Sequence, residues 1–182
     1  MSDTPLATLA SHQAPKAGLS DMIQKELAGL VPADALTFSE TKTDVDISTP
    51  AEHLLALVTA LKDRNKLKFD YLRNVAGVDY EEEGMAIKYH LYSLEHNHSV
   101  QITVPTTAGH PHVPTLTGLY IAANWHEREA SEMFGFQFDG HPNPKNLLLE
   151  EDLHIHPLLK AHPLQKGEIY QGNEDAGPGF DF

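Results

Sequence analysis

Histidine is the residue type in this chain whose number and spacing could build a metal site. The 182 residues include 12 His, and three pairs have the spacing His-x-His: His96/His98, His110/His112 and His154/His156. On a strand, residues i and i+2 share a face, so each pair could hold two ligand positions of one metal ion. A site needs three or four converging ligands, however, and each pair lies in a predicted turn or Pro-rich loop. The spacing favours capping or solvent-exposed His and leaves a free-standing His-ligated metal enzyme as an alternative.

Charged residues crowd one predicted helix in the second half of the chain. Glu127, Arg128, Glu129 and Glu132 lie there together with Trp125. Paired carboxylates can do general acid–base work when they are buried. Arg128 and Glu132 lie four residues apart and can instead form an ion pair on the helix surface. The spacing alone favours this surface ion pair.

Composition and missing motifs exclude several classes of function. The chain has no Cys, so it has no thiol nucleophile and no Cys-ligated zinc or iron–sulfur cluster. Its 13 Lys and Arg against 26 Asp and Glu give a formal net charge of −13, which argues against nucleic acid or anionic lipid as the main partner. No apolar run approaches the ~20 residues of a membrane span, so any membrane association must come through other chains. Motifs such as G-x-G-x-x-G, the Walker loop, G-x-S-x-G and H-E-x-x-H are absent, which favours an interaction protein.

Apolar periodicity and capping residues predict three helices that would position these side chains. The first runs from about Ser20, its expected N-cap, to about residue 30. The second covers residues 50–64, and Thr49 with Glu52 predicts a capping box at its start. The third covers residues 116–134, contains the charged residues and ends at Gly135. Its expected cap is Thr115 or Thr117.

Alternating apolar residues predict strands between these helices. One strand lies around residues 45–47, and residues 69–80 predict a short turn of helix that leads into another strand. The alternating runs 85–92 and 100–104 are joined by a short polar link and predict a β-hairpin. The expected fold class is α/β (α+β): a two-layer domain with helices packed on a mostly antiparallel sheet.

Three segments are predicted along the chain. Residues 1–17 are polar and aperiodic and predict a flexible leader. Residues 18–160 form the α/β domain. Residues 161–182 are rich in Gly and acidic side chains, which predicts an extended C-terminal arm that becomes ordered when a partner binds it.

The stretch from residue 123 to 148 has a specific pattern of residue types at fixed spacing. It reads Glu127-Arg128-Glu129, two variable residues, Glu132, Met133-Phe134 and Gly135, followed by His141, Lys145 and Leu147-Leu148. This pattern resembles the signature of the 30 kDa subunit family, the C-type subunits, of respiratory complex I, the proton-translocating NADH:quinone oxidoreductase. Flanking segments such as Val113-Pro114-Thr115 are also similar, and the resemblance covers roughly residues 50–165.

The resemblance implies a non-catalytic structural role. Subunits of this family lie in the peripheral arm, pack on the hydrogenase-like large subunit (the D-type subunit) and lie near the small iron–sulfur subunits of the quinone-binding module. The resemblance implies no cofactor in this chain, with iron–sulfur clusters and quinone in neighbouring subunits. It also implies a place at the cytoplasmic face of the energy-coupling membrane, where the complex couples electron transfer to proton translocation.

Related subunits occur in energy-converting [NiFe] hydrogenases, so the equivalent subunit of a membrane-bound hydrogenase, with a nickel–iron centre in its neighbour, is a second hypothesis. One departure from the family pattern lies near the C-terminus. Leu159 stands where a His-Pro-Leu-Arg-Lys run usually has its Arg, and an isobutyl group cannot replace a guanidinium in an ion pair.

The signature residues either order the end of the helix and the following loop or meet the partner. The aromatic residues around the helix (Trp125, Phe134, Phe136 and Phe138) with Met133 favour core packing, although aromatic residues also occur at interfaces. The expected signature and docking residues are Trp125, Glu127, Arg128, Glu129, Glu132, Phe134, Gly135, His141, Lys145, His156 and Lys160.

Overall fold

The fold was determined as a computed structural model. The structure describes residues 18–41, 44–106, 111–150, 153 and 155–161. The predicted leader, residues 1–17, and the predicted arm beyond residue 161 lie outside these described residues.

The helices and strands of the described residues have the following bounds. The helices are α1 (Leu19–Leu27), α2 (Ala51–Asp63) and α3 (Ala123–Phe134). The strands are β1 (Thr37–Glu40), β2 (Val45–Ser48), β3 (Tyr71–Asp79), β4 (Met85–Ser93), β5 (His98–Thr106), β6 (His112–Pro114) and β7 (Gln137–Asp139). Short 3₁₀ turns lie at Ala33–Ala35 and Glu81–Glu83.

The main sheet has five strands in the order β1-β2-β5-β4-β3. All neighbouring pairs are antiparallel except β2 and β5, which are parallel. The predicted hairpin is confirmed, because β4 pairs with β5 in a register that sets Tyr89 opposite Ile102. Strands β6 and β7 form a small parallel sheet. The predicted fold class, helices on a mostly antiparallel sheet, is confirmed.

One face of the main sheet supplies the core. Ile87, Tyr89 and Leu91 of β4 are fully buried, whereas the residues between them are half-buried. This alternation follows from the two-residue period of a strand with one covered face. Helix α2 contributes Leu54 and Leu57, both fully buried, to the same core.

The predicted capping box of α2 is wrong, although the helix lies where it was expected. The N-terminus of α2 has no side-chain cap, and the hydroxyl of Thr49 lies 3.5 Å from the carbonyl oxygen of Pro50. The backbone N–H of Thr49, which a capping box would use, donates instead to the carbonyl of Thr103 at 3.0 Å. Thr49 therefore extends the sheet rather than capping the helix. Helix α1 likewise has no side-chain cap, because it begins at Leu19 after Gly18.

Two other helix predictions are wrong in part. Helix α3 begins at Ala123 rather than at residue 116, because the chain at Leu116 turns inward and its N–H donates to the Glu127 carboxylate. The predicted helical turn before β3 is absent from the described fold, where Phe69 is buried and its N–H donates to the carbonyl of Leu61 at 3.0 Å.

A glycine in β3 permits the close packing of α3 on the sheet. A Cβ on Gly77 would lie 2.5 Å from a ring carbon of Phe134 and 2.8 Å from one of Phe136. Helix α3 passes directly over this point, with Tyr120 near its start donating to the carbonyl of Phe69 at 2.6 Å. The helix therefore lies along β3, with its outer side turned away from the sheet.

Candidate functional site

Glu127 lies on the inner side of α3 and is fully buried. Its carboxylate accepts a hydrogen bond from the N–H of Leu116 at 2.7 Å and another from the hydroxyl of Thr115. Burial raises the pKa of Glu127 to about 6, although these two hydrogen bonds act to lower it. Glu127 therefore fixes the segment before α3 to the middle of the helix.

His141 lies next to Glu127, with its Nε2 atom 3.9 Å from the carboxylate. Nε2 lies 3.3 Å from the carbonyl oxygen of Asn124 and so donates to it, while Nδ1 accepts the N–H of Asn143 at 3.1 Å. Burial lowers the pKa of His141, and the nearby Arg128 lowers it further, while the Asn124 carbonyl opposes both. The imidazole is therefore neutral at pH 7, and its contact with Glu127 is not an ion pair.

Tyr89 of β4 brings a third polar group to this interior. Its hydroxyl is buried and has no hydrogen-bond partner in the described part of the chain. Burial raises the pKa of Tyr89 well above its ordinary value, and the charge of Glu127 adds to the effect. The cavity beside Glu127 and His141 measures about 30 Å³, which is room for about one water molecule and not for a substrate.

Glu132 lies on the opposite, outer side of α3 and is also buried, by a loop rather than by the sheet. Its carboxylate accepts the N–H groups of Leu147 at 2.9 Å, Leu148 at 3.0 Å and Leu149. Burial acts to raise the pKa of Glu132, but the three N–H donors and the charge of Arg128 outweigh it, so the pKa is lowered. Glu132 is therefore an ionised acceptor at neutral pH.

Arg128 binds the same loop through its carbonyl groups. Its Nε donates to the carbonyl of Lys145 at 2.7 Å, and its Nη2 donates to that of Asn146 at 2.6 Å. Its guanidinium also lies 5.6 Å from the ring centroid of Trp125. The predicted surface ion pair between Arg128 and Glu132 is wrong, because loop 145–149 covers both side chains and its backbone satisfies them separately.

The segment after this loop is fixed to the C-terminal end of α3. His156 Nδ1 donates to the carbonyl of Glu132 at 2.9 Å, and its ring lies 3.0 Å from where a Cβ on Gly135 would be. Gly135 ends the helix with φ +81°, a left-handed conformation that favours glycine. Lys160 follows, with its N–H 2.9 Å from the Asp79 carboxylate. Leu159, at the family's Arg position, is partly buried against the core.

The remaining predicted residues divide between core and surface. Phe136 is fully buried, and Phe134 and Phe138 pack partly buried against the core, as expected of core aromatic residues. The core interpretation is wrong for Trp125, which is 59% exposed. Glu129 is exposed beside it.

His96 and His98, the one His-x-His pair that the structure describes in full, have structural contacts. His96 Nε2 donates to the carbonyl of Asn65 at 2.7 Å, and His98 Nε2 donates to that of Leu67 at 2.8 Å, so this pair caps the loop after α2. No cluster of three or more His, Asp or Glu that could hold a metal ion forms among residues 18–41, 44–106, 111–150, 153 and 155–161. His110 and His154, one member of each other pair, lie outside these residues.

The sequence alone did not indicate several of these contacts. Thr115 was expected to cap a helix and instead binds Glu127, and neither the Tyr89 hydroxyl nor the Asp79 carboxylate was singled out. The alternation of β4 places Tyr89 on the buried face, which is the signal that could have found it.

Comparison with known proteins gives consistent matches over most of the chain. A family model described as "Respiratory-chain NADH dehydrogenase, 30 Kd subunit" matches residues 47–168. The chain is 35% identical to the C-type subunit of the NADH-quinone oxidoreductase of Roseiflexus sp. (strain RS-1), covering 84% of this chain and 90% of that protein. It is 35% identical to a combined C/D-type subunit of the NADH-quinone oxidoreductase of Pectobacterium atrosepticum, over 83% of this chain and 27% of that longer protein.

Solved structures share the fold. A trypsin-resistant fragment of Nqo5 superposes with a TM-score of 0.55 at 23% identity, covering 69% of this chain and 98% of the fragment. A chain of an archaeal membrane-bound sulfane sulfur reductase superposes with a TM-score of 0.68 at 18% identity, covering 87% of this chain and 98% of that chain. In the described part of this chain, no helix is long and apolar enough to cross a membrane.

Proposed function

Because this chain belongs to the family of the 30 kDa, or C-type, subunit of the NADH-quinone oxidoreductase of respiratory complex I, we propose that it docks on the hydrogenase-like large subunit of that complex. The main support for this proposal is a relative that is named as a combined C/D-type subunit, in which both subunits form one chain. Fusion holds two parts at high effective concentration, and it is compatible with function only where both parts can take their places together.

The internal contacts of the signature region support a structural role. Glu127, Glu132 and Arg128 are occupied by backbone groups of their own chain, and the cavity beside Glu127 and Arg128 has room for about one water molecule. Through these hydrogen bonds the three side chains hold the segments on either side of α3 in place, as a platform for other subunits. We assign no catalytic, cofactor-binding or metal-binding residue to this chain and place the iron–sulfur clusters and the quinone in its neighbours.

The charge of the chain agrees with docking on a basic partner. Its formal net charge of −13 would steer it towards a positively charged face, and such steering sets the encounter rate and the specificity more than the affinity. In this proposal the chain lies in the peripheral arm, near the small iron–sulfur subunits and at the cytoplasmic face of the energy-coupling membrane. Other subunits hold it there, and it supports electron transfer coupled to proton translocation.

The experiment that tests this function is a gentle pull-down of the tagged chain from solubilised membranes of its source, followed by mass spectrometry. We expect a hydrogenase-like large subunit together with iron–sulfur and membrane subunits. A chain recovered alone from the soluble fraction would contradict the proposal, and zinc, iron and nickel analysis of that material would then test the His-ligated enzyme. Membranes that contain the untagged chain are the control for non-specific capture.

The large subunit recovered in this pull-down also shows whether the chain belongs to a quinone reductase or to a hydrogenase-type complex. Two intact Cys-x-x-Cys motifs in the recovered large subunit would favour nickel–iron ligation, and their loss would favour a quinone site. We favour the quinone reductase, because relatives with 31–41% identity are NADH-quinone oxidoreductase subunits. The likeness to the archaeal reductase concerns the fold alone.

A further inference from the structure

The outer side of α3 is covered along only half of its length. Trp125, Arg128 and Glu132 follow one another at intervals of three or four residues, which places them along one side of the helix. Loop 145–149 covers Arg128 and Glu132 at the C-terminal half. Trp125, on the half that the loop does not bind, is 59% exposed, and Ile121, in the turn just before α3 begins, is 90% exposed.

These exposed apolar side chains stand on a rigid support. Glu127 fixes the inner side of α3 to the segment before it, and the two hydrogen bonds of Arg128 fix the guanidinium that lies 5.6 Å from the Trp125 ring. Leu148, whose N–H binds Glu132, adds another exposed apolar side chain on the covering loop. A Trp held in place before binding loses little conformational entropy on association, and Trp is enriched among the residues that dominate interface affinity.

The charges around this surface indicate what kind of partner fits it. Glu129, one helical turn after Trp125, is exposed and has no hydrogen-bond or ion-pair partner among the described residues. Arg128 keeps its positive charge, but its two hydrogen bonds to carbonyl groups hold the guanidinium against the loop. Glu129 therefore presents an exposed negative charge near Trp125 on a chain whose formal net charge is −13, and a basic partner surface would complement both.

We propose that Ile121, Trp125 and Leu148, hereafter the α3 patch, form the surface that docks on the large subunit, with Glu129 at its margin. The patch fits an apolar pocket of that subunit bordered by Lys or Arg side chains. This inference rests on the proposed function, because it assigns the large subunit as the occupant. Trp125 fills the pocket, and Glu129 pairs with a bordering cation.

The isolated full-length chain tests first whether the patch is free. Trp125 is the single Trp of the chain, so its fluorescence reports on the patch without interference from another Trp. We expect acrylamide to quench it strongly, as it does an exposed Trp, with no dependence on protein concentration. Quenching that weakens as the concentration rises would identify a second copy as the occupant and overturn the proposal. Weak quenching at every dilution would show that the chain covers its own patch, which would also overturn it.

The pull-down then tests the occupant with Trp125→Glu and Glu129→Lys. The matched controls are Leu30→Glu and Glu40→Lys, two exposed positions near β1 at the opposite edge of the sheet from β3. Because the substituted side chains are exposed, all four variants should melt near the wild-type temperature. We expect recovery of the large subunit to fall at least tenfold with Trp125→Glu, to fall several-fold with Glu129→Lys, and to stay unchanged in both controls.

The outcomes separate this inference from the proposed function. If wild-type chain recovers the large subunit and folded Trp125→Glu recovers it equally well, the α3 patch is not the docking surface, although the proposed function stands. If wild-type chain recovers no large subunit, the proposed function itself fails.

Discussion

Glu127 and Glu132 lie on opposite sides of α3, and each carboxylate binds the backbone of a different segment of the chain. Glu127 holds the segment that enters the helix, and Glu132 holds the loop that follows it. Their environments shift the two pKa values in opposite directions, upward for Glu127 and downward for Glu132. One helix therefore orders both of its flanking segments, and the two carboxylates respond differently to pH.

The raised pKa of Glu127 predicts a loss of stability as pH rises. Its pKa is raised from an ordinary 4.5 to about 6, so the fold binds this proton more tightly than the unfolded chain does. The stabilisation by the protonated group is complete below pH 4.5 and is lost as pH rises through 6. At roughly 1.4 kcal/mol per pKa unit, it amounts to about 2 kcal/mol.

Denaturant unfolding of wild type and Glu127→Gln across this pH range measures the effect. Because glutamine does not titrate, the free energy of unfolding of the variant should rise relative to wild type by about 2 kcal/mol from below pH 4.5 to above pH 6. A constant difference between the two proteins over that range would contradict the burial of a titrating carboxyl at this position.

Glu132→Gln should destabilise the fold at neutral pH. The substitution removes the charge that accepts three N–H groups of loop 145–149, and hydrogen bonds to charged groups contribute about 1.5–3 kcal/mol each. We expect a loss of about 2 kcal/mol in the free energy of unfolding at pH 7, because glutamine retains part of the hydrogen bonding.

The lowered pKa of Glu132 determines how this difference depends on pH. Its stabilisation is present above the ordinary value of 4.5 and is lost as pH falls through the lower value in the fold, so wild type and Glu132→Gln should converge in acid. Hydrogen exchange of Leu147, Leu148 and Leu149 should also accelerate in the variant at neutral pH. Glu129→Gln, on the same helix but exposed, is the control and should change stability by less than about 0.5 kcal/mol. Equal effects of the two substitutions would argue against a specific role of Glu132.

The sequence predicts the elements of this site better than it predicts their contacts. Helix α3, its end at Gly135 and the family signature were identified because capping, charge and residue spacing are local patterns. The partners of Glu132 and Arg128 are backbone atoms 15 to 18 residues away. Backbone N–H and carbonyl groups are the same in nearly every residue, so no residue type marks them. The surface ion pair was predicted because only side-chain partners could be considered.

Trp125 shows where helical periodicity could have improved the prediction. Ala123, Glu127 and Ala130 face the core, and Trp125 lies on the opposite side of a helix with 3.6 residues per turn. Its aromatic character favoured burial, while its position in the helix placed it outside. The capping box failed for a non-local reason, since β5 takes the N–H of Thr49 that the motif requires.

Arg128→Lys should weaken loop 145–149 although it keeps the positive charge. The guanidinium donates to two carbonyl groups at once, and a lysine ammonium cannot reproduce this planar, two-point contact. We expect faster hydrogen exchange in the loop and less assembled complex on native gels, with a further decrease for Arg128→Ala. Unchanged assembly and quinone reduction in Arg128→Ala would count against an essential role of this side chain.

Gly77→Ala should disturb the packing of α3 on β3. The added methyl group would lie 2.5 Å from a ring carbon of Phe134 and 2.8 Å from one of Phe136, so α3 would have to move away from β3. Overpacking of this kind costs about 1–3 kcal/mol, and we expect a lower free energy of unfolding together with reduced assembly. Gly118→Ala is the matched control, because a Cβ there meets nothing within 4 Å. If both variants unfold at the same denaturant concentration as wild type, the close approach of α3 to β3 at Gly77 is not required for stability.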